Sequence, residues 1–382
     1  MRQHIKLGLI IRQIRGVSYK PTDVKAAGDP NAVALLRANN IQDEGLNFDD
    51  LVYIDKKKVS SEQMIQKGDI VICSSSGSKN LVGKAAVADN DYPVAFGAFC
   101  KVVRVLSMNS AFVGQYFRSP RYRREISEAS SGANINNIRN EHIDEMLLPI
   151  YSEGEQAEIA RKLTHIDTLI GNRQAQLTLI DQLVKSRFVE MFGEGYPEDS
   201  LLNLCNIIDY RGKTPEKVDS GLPFITAKNI RMHYMSMDSQ EFISKETYDK
   251  VMVRGFPKEG DVVFTTEAPL GNVCRIPHFD TEFYIGQRIV TLQTEKLEPI
   301  YLEYALDTDD FEQKLNSKAS GSTVTGIRVR LLEQLTIPVP PRAMQNQFAT
   351  FVEQVDKSKL AVQQSLEKLE TLKKSLMQQY FG

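Results

Sequence analysis

The sequence predicts two similar mixed α/β (α+β) domains, each followed by a long α-helix, with the two helices paired as an antiparallel coiled coil. Three observations predict this arrangement: an internal repeat covers the chain, each copy opens with short apolar runs, and each copy closes with a heptad pattern. The chain has 382 residues, of which 42% are apolar and 25% charged, so it is globular in composition and long enough for two or three domains. The repeat narrows that range to one unit of about 190 residues used twice.

The repeat has an offset of 189 residues. The segment SGANINNIR at residues 131–139 reappears as SGSTVTGIR at residues 320–328. The match continues without a gap from residues 153–193 onto residues 342–382, where 10 of 41 positions are identical. Upstream the offset drifts by a few residues, as loop insertions would make it do. The expected divisions of the chain are 1–152, 153–193, 194–341 and 342–382.

Short apolar runs predict strands in the front part of each copy, and Gly-Asp turns at residues 68–69 and 260–261 bound two of them. The predicted strands are residues 33–36, 70–73, 102–106, 262–265 and 289–292. Helical spacing predicts one helix over residues 110–126 and another over residues 299–315. Strands and helices in this mixture place each front domain in the mixed α/β class.

The closing segment of each copy carries apolar residues at the three- and four-residue spacing of a heptad seam. Polar residues interrupt the first seam at Arg173 and Arg187 and the second at Lys359 and Lys373, where the other copy is apolar. Two helices with interruptions in different places are suited to pair with each other in one register. The alternative is that each helix packs separately on its own domain. The predicted pairing residues are Ile159, Leu163, Ile166, Ile170, Leu177, Ile180, Val184, Val352, Val355, Val362, Leu366, Leu369 and Leu376.

A helix of this size would measure roughly 60 Å at about 1.5 Å per residue. That length suits a spacer between two similar domains.

The sequence contains no motif for catalysis, so we expect no catalytic, cofactor-binding or metal site in this chain. Residues 211–214 (RGKT) are similar to the end of a phosphate-binding loop, but Ile207 stands where the first glycine belongs. No GxGxxG, HExxH or GxSxG pattern occurs, and the four cysteines form no CxxC pair. The nearest approach to a catalytic carboxylate pair is at Glu259, Asp261 and Glu267. A Gly-Asp turn followed by a strand is enough to explain these residues without a catalytic role.

The N-terminal segment does not have the pattern of a signal peptide. Arg12 and Arg15 interrupt its apolar residues, and no small-residue cleavage site follows. No run of about 18 apolar residues occurs elsewhere. We therefore expect a cytoplasmic protein.

The net charge of −2 does not by itself indicate a protein that binds nucleic acid. Counted by segment, residues 1–152 have 20 basic and 16 acidic residues, whereas residues 194–341 have 16 and 23. The near-neutral total therefore hides two front domains of opposite sign.

Several segments of the second copy resemble, in order, the specificity subunit of type I restriction-modification systems. They are GLPFI with KNI within residues 221–230, GDVVFTTEAPLGNV at 260–273, YIGQR at 284–288, GSTVTGI at 321–327 and IPVPP at 337–341. No single segment is diagnostic, but their order and their duplication are specific. The first copy departs from the pattern at SSSGSKN (residues 74–80) and FGAF (residues 96–99). Such divergence is expected if the two domains recognise different half-sites.

The resemblance implies a non-catalytic subunit that reads an interrupted, bipartite target in double-stranded DNA with two target-recognition domains. It also implies that the helices dock two modification (methyltransferase) subunits, with two restriction (translocase and nuclease) subunits joining the complex. S-adenosylmethionine, and ATP with magnesium, are then expected on the partner subunits. Two alternatives stay open: a specificity or scaffold subunit of a methylation-only adenine DNA methyltransferase complex, and a coiled-coil scaffold that binds proteins. A self-contained modification or nuclease enzyme is disfavoured by the missing motifs.

Base recognition requires hydrogen-bonding side chains on exposed loops. The candidates in the first copy are Arg37, Asn39, Asn40, Ser78, Lys79, Asn80, Asn134, Asn136, Asn137 and Arg139. Those in the second copy are Lys228, Asn229, Thr265, Thr266, Gln287, Arg288, Ser320, Ser322, Thr323 and Arg328. The serine run before Lys79 could instead be a flexible loop, and the repeated Ser-Gly segments could instead cap the preceding helix. The densest basic cluster, Arg118, Arg121, Arg123 and Arg124, has an acidic repeat partner, and it is either a phosphate contact or a solvated helix face.

Overall fold

The computed structural model describes residues 2–42, 45–78, 81–130, 136–193, 195–210, 212, 215–321 and 325–382, with the backbone alone at Ser130 and Asn136. The chain divides into two compact units. Unit 1 comprises Met1–Gln176 and Val362–Gly382, and unit 2 comprises Leu177–Ala361. Each unit therefore contains one front domain and a part of both long helices.

The front domain of unit 1 is mixed α/β. Its strands are β1 (His4–Lys6), β2 (Ile11–Arg15), β3 (Ala32–Leu36), β4 (Val52–Asp55), β5 (Ile70–Cys73), β6 (Ser75–Ser76), β7 (Ala85–Val87), β8 (Val94–Phe96), β9 (Cys100–Val105), β10 (Asn136–Asn137) and β11 (Leu147–Pro149). Its helices are α1 (Ser110–Tyr116), α2 (Pro120–Ser130) and α3 (Asn140–Asp144), followed by the long α4 (Glu153–Phe192). Single 3-10 turns lie at Leu7–Leu9, Pro21–Asp23, Ala38–Asn40, Lys56–Lys58 and Ser61–Gln63.

The front domain of unit 2 has the same class of elements. Its strands are β12 (Glu198–Ser200), β13 (Asn206–Asp209), β14 (Leu222–Ile225), β15 (Ile230–Arg231), β16 (Tyr234–Met235), β17 (Phe242–Ile243), β18 (Val262–Thr265), β19 (Val273–Arg275), β20 (Tyr284–Ile285), β21 (Ile289–Gln293) and β22 (Thr336–Pro338). Its helices are α5 (Leu201–Leu204), α6 (Lys245–Val251), α7 (Pro299–Ala305), α8 (Asp309–Lys318) and α9 (Val329–Leu332), followed by the long α10 (Arg342–Phe381).

The sheets of the two units have the same strand order, which confirms in three dimensions the relation between the copies. A four-stranded antiparallel sheet has the order β2-β9-β5-β7 in unit 1 and β13-β21-β18-β19 in unit 2. A three-stranded sheet has the order β4-β3-β8 in unit 1 and β17-β14-β20 in unit 2, with one parallel pair in each. The strands that open and close each front domain also pair with each other, β1 with β11 and β12 with β22.

The central strands are buried on both faces, which is why they read as continuous apolar runs. In β5 all four residues are buried, and alternate side chains enter different cores. Ile70 and Ile72 pack with the helices, whereas Val71 and Cys73 pack toward Leu36 and the smaller sheet. β18 divides its side chains in the same way.

Each predicted helix that precedes a Ser-Gly segment is two helices in the structure. Residues 110–126 are divided between α1 and α2 because Pro120 has no amide hydrogen and disfavours helical geometry in the residue before it. Residues 299–315 are divided between α7 and α8 because Thr308 caps a new helix by accepting a hydrogen bond from the amide of Phe311.

In unit 1, the C-terminal end of α10 completes the core of the first front domain. Phe381 is fully buried, and its ring lies 5.3 Å from that of Phe112 and 5.9 Å from that of Tyr116. The Tyr151 hydroxyl donates a hydrogen bond to the carbonyl of Tyr380 (3.1 Å). A residue of the second repeat is therefore part of the core of the first.

In unit 2, the C-terminal end of α4 does the same for the second front domain. Phe192 lies 4.9 Å from Tyr301 and 5.6 Å from Phe348, measured between ring centroids. Phe188 also packs on Phe348, at 5.3 Å. Phe192 and Phe381 are repeat equivalents, so the exchange of helix ends is reciprocal.

The two long helices run antiparallel in both units. In unit 1, Asp167 pairs with Lys373 (2.7 Å) and Arg173 donates to Ser365 (3.2 Å), so that later residues of α4 contact earlier residues of α10. In unit 2, Lys359 reaches Asp181 at 2.5 Å. Three of the four polar interruptions of the seams therefore contact the opposite helix, while Arg187 pairs with Glu190 on its own helix.

The predicted pairing residues all lie on covered faces of the helices. Those that are buried are Ile159, Leu163, Ile166, Val184, Val352 and Val362. Those that are partly buried are Ile170, Leu177, Ile180, Val355, Leu366, Leu369 and Leu376. In α4 the buried pairing residues lie toward the two ends of the helix, whereas in α10 Val352 is buried near the start and Val362 near the middle.

A charged network in unit 2 connects the front domain to both helices. Glu303 of α7 is 1% exposed and accepts hydrogen bonds from Arg275 (2.6 Å) and His233 (3.1 Å). His233 also contacts Asp307 (3.0 Å), which pairs with Lys185 of α4 (2.8 Å). We call these residues, with Asp356 of α10 lying 3.6 Å from Arg275, the Glu303 network.

Candidate nucleic-acid interface

In unit 1, three loop segments meet where β5 ends and β9 begins. The backbone of Ser75–Ser76 pairs with Asn136–Asn137, and the amide of Ile138 donates to the carbonyl of Ser74 (2.9 Å). The amides of Ser74 and Ser75 donate to the carbonyl of Phe99 (2.9 and 3.2 Å). We call residues 74–78, 97–99 and 136–139 the polar edge of unit 1.

In unit 2, the equivalent segments meet where β18 ends and β21 begins. The amide of Ile327 donates to the carbonyl of Thr266 (2.9 Å), and the amide of Thr266 donates to the carbonyl of Arg288 (2.9 Å). Gly326 forms bridges with both Glu267 and Ser320. The polar edge of unit 2 consists of residues 265–267, 286–288, 320–321 and 325–328.

The two polar edges share their backbone connections. Ile138 and Ile327, which are 189 residues apart, make the same bond, to Ser74 and Thr266 respectively. The smaller sheet joins each edge in the same way, because the amide of Gly97 donates to Leu36 (2.9 Å) and that of Gly286 donates to Ile225 (2.7 Å). The candidate segments after β3 and β14 therefore adjoin the polar edges.

The candidates differ in exposure. Those with exposed side chains are Asn39, Ser78, Asn137, Arg139, Lys228, Arg288, Ser320 and Arg328. Arg37 and Gln287 are partly buried. Lys79, Asn80, Asn134, Ser322 and Thr323 lie outside the described residues, as does the side chain of Asn136.

Four candidates are buried and hydrogen-bonded within the protein. Asn40 and Asn229, each 1% exposed, close equivalent turns by accepting from the amides of Arg37 (2.8 Å) and Thr226 (2.9 Å). Thr265 and Thr266 bond to the carbonyls of Asn272 and Arg288. Their hydrogen bonds support a role in shaping the loops. Contact of these four side chains with bases stays a prediction, and their burial disfavours it.

Arg37 is held beside its own loop. Its Nη2 contacts Asp50 at both the carboxylate (2.5 Å) and the carbonyl oxygen (2.8 Å). Asn39 lies 3.5 Å from the same carboxylate. Of the two, Asn39 is the more exposed and the better placed for an external contact.

Lys101 is a buried cation beside the polar edge of unit 1 that the sequence did not single out. It lies in β9, is 8% exposed, and donates to Gln13 (2.8 Å), Asn140 (2.7 Å) and the carbonyl of Ile138 (3.4 Å). Burial lowers the pKa of its ammonium group to about 8. Lys101 supports the segment that enters the polar edge of unit 1, and its position in an apolar strand gave no sequence signal.

Three of the four arginines of the basic cluster on α2 and before it have partners within unit 1, whereas Arg124 is exposed. Arg118 pairs with Asp167 (2.6 Å), and Arg121 contacts Glu125 (2.7 Å) and the carbonyl of Phe381 (3.0 Å). Arg123 donates to the carbonyl of Val82 (3.0 Å). The contacts of Arg118 and Arg121 hold the two long helices on the front domain, which disfavours a phosphate contact for these two side chains.

The carboxylates near β18 have separate partners. Glu259 contacts His278 (2.8 Å), Asp261 accepts from the amide of Lys258 (2.8 Å), and Glu267 pairs with Arg288 (3.0 Å). Burial raises the pKa values of the Cys100, Cys205 and Cys274 thiols to about 12, which disfavours the reactive thiolate. Within the described ranges no group of three or more His, Cys, Asp or Glu side chains is arranged to hold a metal ion, and no helix there could span a membrane.

Comparison with known proteins finds one family that matches both copies. Residues 26–180 and 199–372 match the family described as "Type I restriction modification DNA specificity domain". The chain is 27% identical over 400 residues to the EcoKI specificity subunit of Escherichia coli (strain K12), covering 96% of this chain and 86% of that protein. It is 39% identical over 173 residues to the StySPI specificity subunit of Salmonella potsdam, covering 45% of this chain and 37% of that protein.

Two solved structures have the same fold. One is the type I restriction-modification S subunit from M. genitalium, with a TM-score of 0.61 and 14% identity over 100% of this chain and 96% of that one. The other, from a study of "complex assembly and conformational transition of the type I R-M system", gives a TM-score of 0.56 and 18% identity over 99% and 97%. The family match covers most of both copies, and the chain therefore belongs to the type I restriction-modification DNA specificity family, whose domain it carries twice.

Proposed function

We propose that this chain is the non-catalytic DNA sequence-specificity subunit of a type I restriction-modification complex, and that each polar edge binds one half of an interrupted target. The observation that carries the proposal is that the two edges have the same backbone hydrogen bonds but different exposed side chains. A shared backbone gives both units the same way of docking on a duplex, whereas different side chains read different bases. The relatives named as specificity subunits support the same function.

We further infer that the partners are two modification subunits, which carry S-adenosylmethionine, and two restriction subunits, which carry ATP and magnesium. Residues 194–341 have more acidic than basic side chains, 23 against 16. Part of the phosphate neutralisation, and of the salt-dependent affinity that it gives, would then come from the partner subunits. Such a complex would act on chromosomal DNA in the cytoplasm.

Co-expression of the chain with its modification subunit, followed by genome-wide mapping of methylated adenines, tests the proposal. We expect one interrupted motif with two defined half-sites, because each polar edge contacts its own group of base pairs. The modification subunit expressed alone is the control and should give no motif. A continuous motif, or none in the presence of both chains, would contradict the proposal.

Exchange of residues 1–152 for those of another family member is expected to change one half-site and leave the other intact. The polar edge of unit 1 lies wholly within residues 74–139, whereas that of unit 2 stays unaltered. The donor domain must keep large apolar side chains at the positions of Phe112 and Tyr116, because Phe381 packs on both. Changes in both halves, by the same methylation mapping, would contradict independent reading.

A further inference from the structure

Position 99 in unit 1 and position 288 in unit 2 are structurally equivalent. The carbonyl of Phe99 accepts hydrogen bonds from the amides of Ser74 (2.9 Å) and Ser75 (3.2 Å) and from the Ser74 hydroxyl (3.0 Å). The carbonyl of Arg288 accepts from the amide (2.9 Å) and the hydroxyl (3.2 Å) of Thr266. Each residue therefore stands on a backbone that several hydrogen bonds fix in the middle of a polar edge.

The turn that carries each residue is closed in the same way. The amide of Cys100 donates to the carbonyl of Gly97 (2.8 Å), and that of Ile289 donates to Gly286 (3.2 Å). A side chain on such a turn loses little backbone freedom when it contacts a partner, which is the condition for a preorganised contact.

Phe99 presents an aromatic ring to solvent at this fixed position. It is 69% exposed, whereas Phe96, three residues earlier, is fully buried. Single exposed apolar residues are ordinary on protein surfaces, so exposure alone carries no argument. The significance of Phe99 is its place in the chain: its backbone is bonded to Ser74 and Ser75 at the end of the sheet where the candidate segments converge.

Arg288 presents the opposite chemistry at the equivalent position. It is exposed, and its Nε contacts Oε1 of Glu267 at 3.0 Å. An arginine held through Nε can offer its two Nη groups as a fork to O6 and N7 of guanine, and a carboxylate beside it can accept from N4 of the paired cytosine.

We propose that positions 99 and 288 are specificity-determining: Phe99 makes an apolar contact with the 5-methyl group of a thymine in one half-site, and Arg288 with Glu267 reads a G·C pair in the other. The inference rests on the proposed function, since it requires that the polar edges bind DNA. Phe99 cannot hydrogen-bond through its side chain, so the thymine methyl group is the base feature in the major groove that matches it.

The test uses the full chain co-expressed with its modification subunit and maps methylated adenines for the variants Phe99→Ser and Arg288→Gln. Phe99→Ser is expected to reduce the preference for thymine at one position of one half-site by about 4-fold, the value of one buried methyl group. Arg288→Gln is expected to reduce the preference for a G·C pair at one position of the other half-site by about 5- to 140-fold, the range for one bidentate base contact. Phe99→Leu keeps an apolar side chain and should retain the thymine preference.

Matched controls are exposed apolar residues near the opposite ends of β9 and β21. Leu106, 64% exposed, follows β9, and Phe256, 59% exposed, accepts at its carbonyl from Gln293 at the end of β21. Leu106→Ser and Phe256→Ser should leave the motif unchanged. Melting temperatures of all variants should stay near that of the parent chain, because the substituted side chains are exposed.

Absence of a bipartite methylation motif for the parent chain would contradict the proposed function itself. A bipartite motif that Phe99→Ser and Arg288→Gln leave intact would overturn only this inference. It would also be overturned by a parent motif in which the half-site assigned to unit 1 by the domain exchange has no defined A·T pair besides that of the methylated adenine, or by a change in that half-site with Leu106→Ser.

Discussion

Replacement of Phe381 by alanine is expected to reduce the free energy of unfolding of unit 1 by about 3–5 kcal/mol, although Phe381 belongs to the second repeat. The side chain is fully buried against Phe112 and Tyr116, and truncation would leave a cavity between α10 and the first front domain. The loss would extend to the hydrogen bonds that Tyr151 and Arg121 donate to the carbonyls of Tyr380 and Phe381.

The measurement is hydrogen–deuterium exchange, with the protection of backbone amides monitored separately for each strand. In Phe381→Ala, β5 and β9 of unit 1 should lose protection before β18 and β21 of unit 2. Leu372→Ala is the matched control, because Leu372 lies on the same helix but is 47% exposed. Phe192→Ala should produce the reciprocal result, with unit 2 losing protection first. If unit 2 loses protection before unit 1 in Phe381→Ala, the exchange of helix ends is contradicted.

Replacement of Glu303 by glutamine is expected to destabilise unit 2 by about 3–5 kcal/mol, because it removes the negative partner of buried or half-buried cations. Glu303 accepts from Arg275 and His233, and the surrounding charges on other elements are Asp307, Lys185 and Asp356. Glu312, exposed on α8, provides the control Glu312→Gln, which should change stability by less than about 0.5 kcal/mol.

The loss of stability caused by Glu303→Gln should become smaller as pH rises. Burial lowers the pKa of His233, but the hydrogen bonds that its ring donates to Asp307 and Glu303 outweigh this effect, and the pKa is raised above 6.5. A raised pKa in the folded state means that the protonated histidine stabilises the fold fully below pH 6.5 and that this contribution is lost as pH rises through the folded value. The difference in melting temperature between the parent chain and Glu303→Gln should therefore be larger at pH 6 than at pH 9. A difference that grows with pH would contradict this account.

Much of the fold could be predicted from the sequence because its signals are local or periodic. The buried runs of β5 and β18 were predicted at the bounds that the structure gives, since a strand covered on both faces reads as continuous apolar residues. The heptad seam predicted the two long helices and their pairing, because its spacing of apolar residues marks the face of each helix that is covered. The breaks before α2 and α8 were missed, because apolar spacing continues across Pro120 and Thr308 although the backbone hydrogen bonds do not.

The exchange of helix ends could not be predicted. The spacing of apolar residues shows which face of a helix is covered, but it does not show that Phe381 is covered by Phe112. For the polar edges, the repeat predicted which segments are equivalent, and the backbone bonds of Ile138 and Ile327 connect them as that equivalence requires. Residue type alone did not separate the exposed Asn39 from the buried Asn40, because an asparagine that closes a turn and one that faces solvent look alike in sequence.

The reciprocal helix ends also determine the order in which the units can be completed during synthesis. Unit 2 is formed by the contiguous residues Leu177–Ala361, so all of its core is available once that stretch has left the ribosome. Unit 1 must wait for Met377 and Phe381, which are made after all of unit 2. At about 5–20 residues per second, that delay is about 10–40 s. The half of the protein that is made first is therefore the half that finishes folding last, and the faces of Phe112 and Tyr116 that Phe381 covers stay exposed in the nascent chain until then.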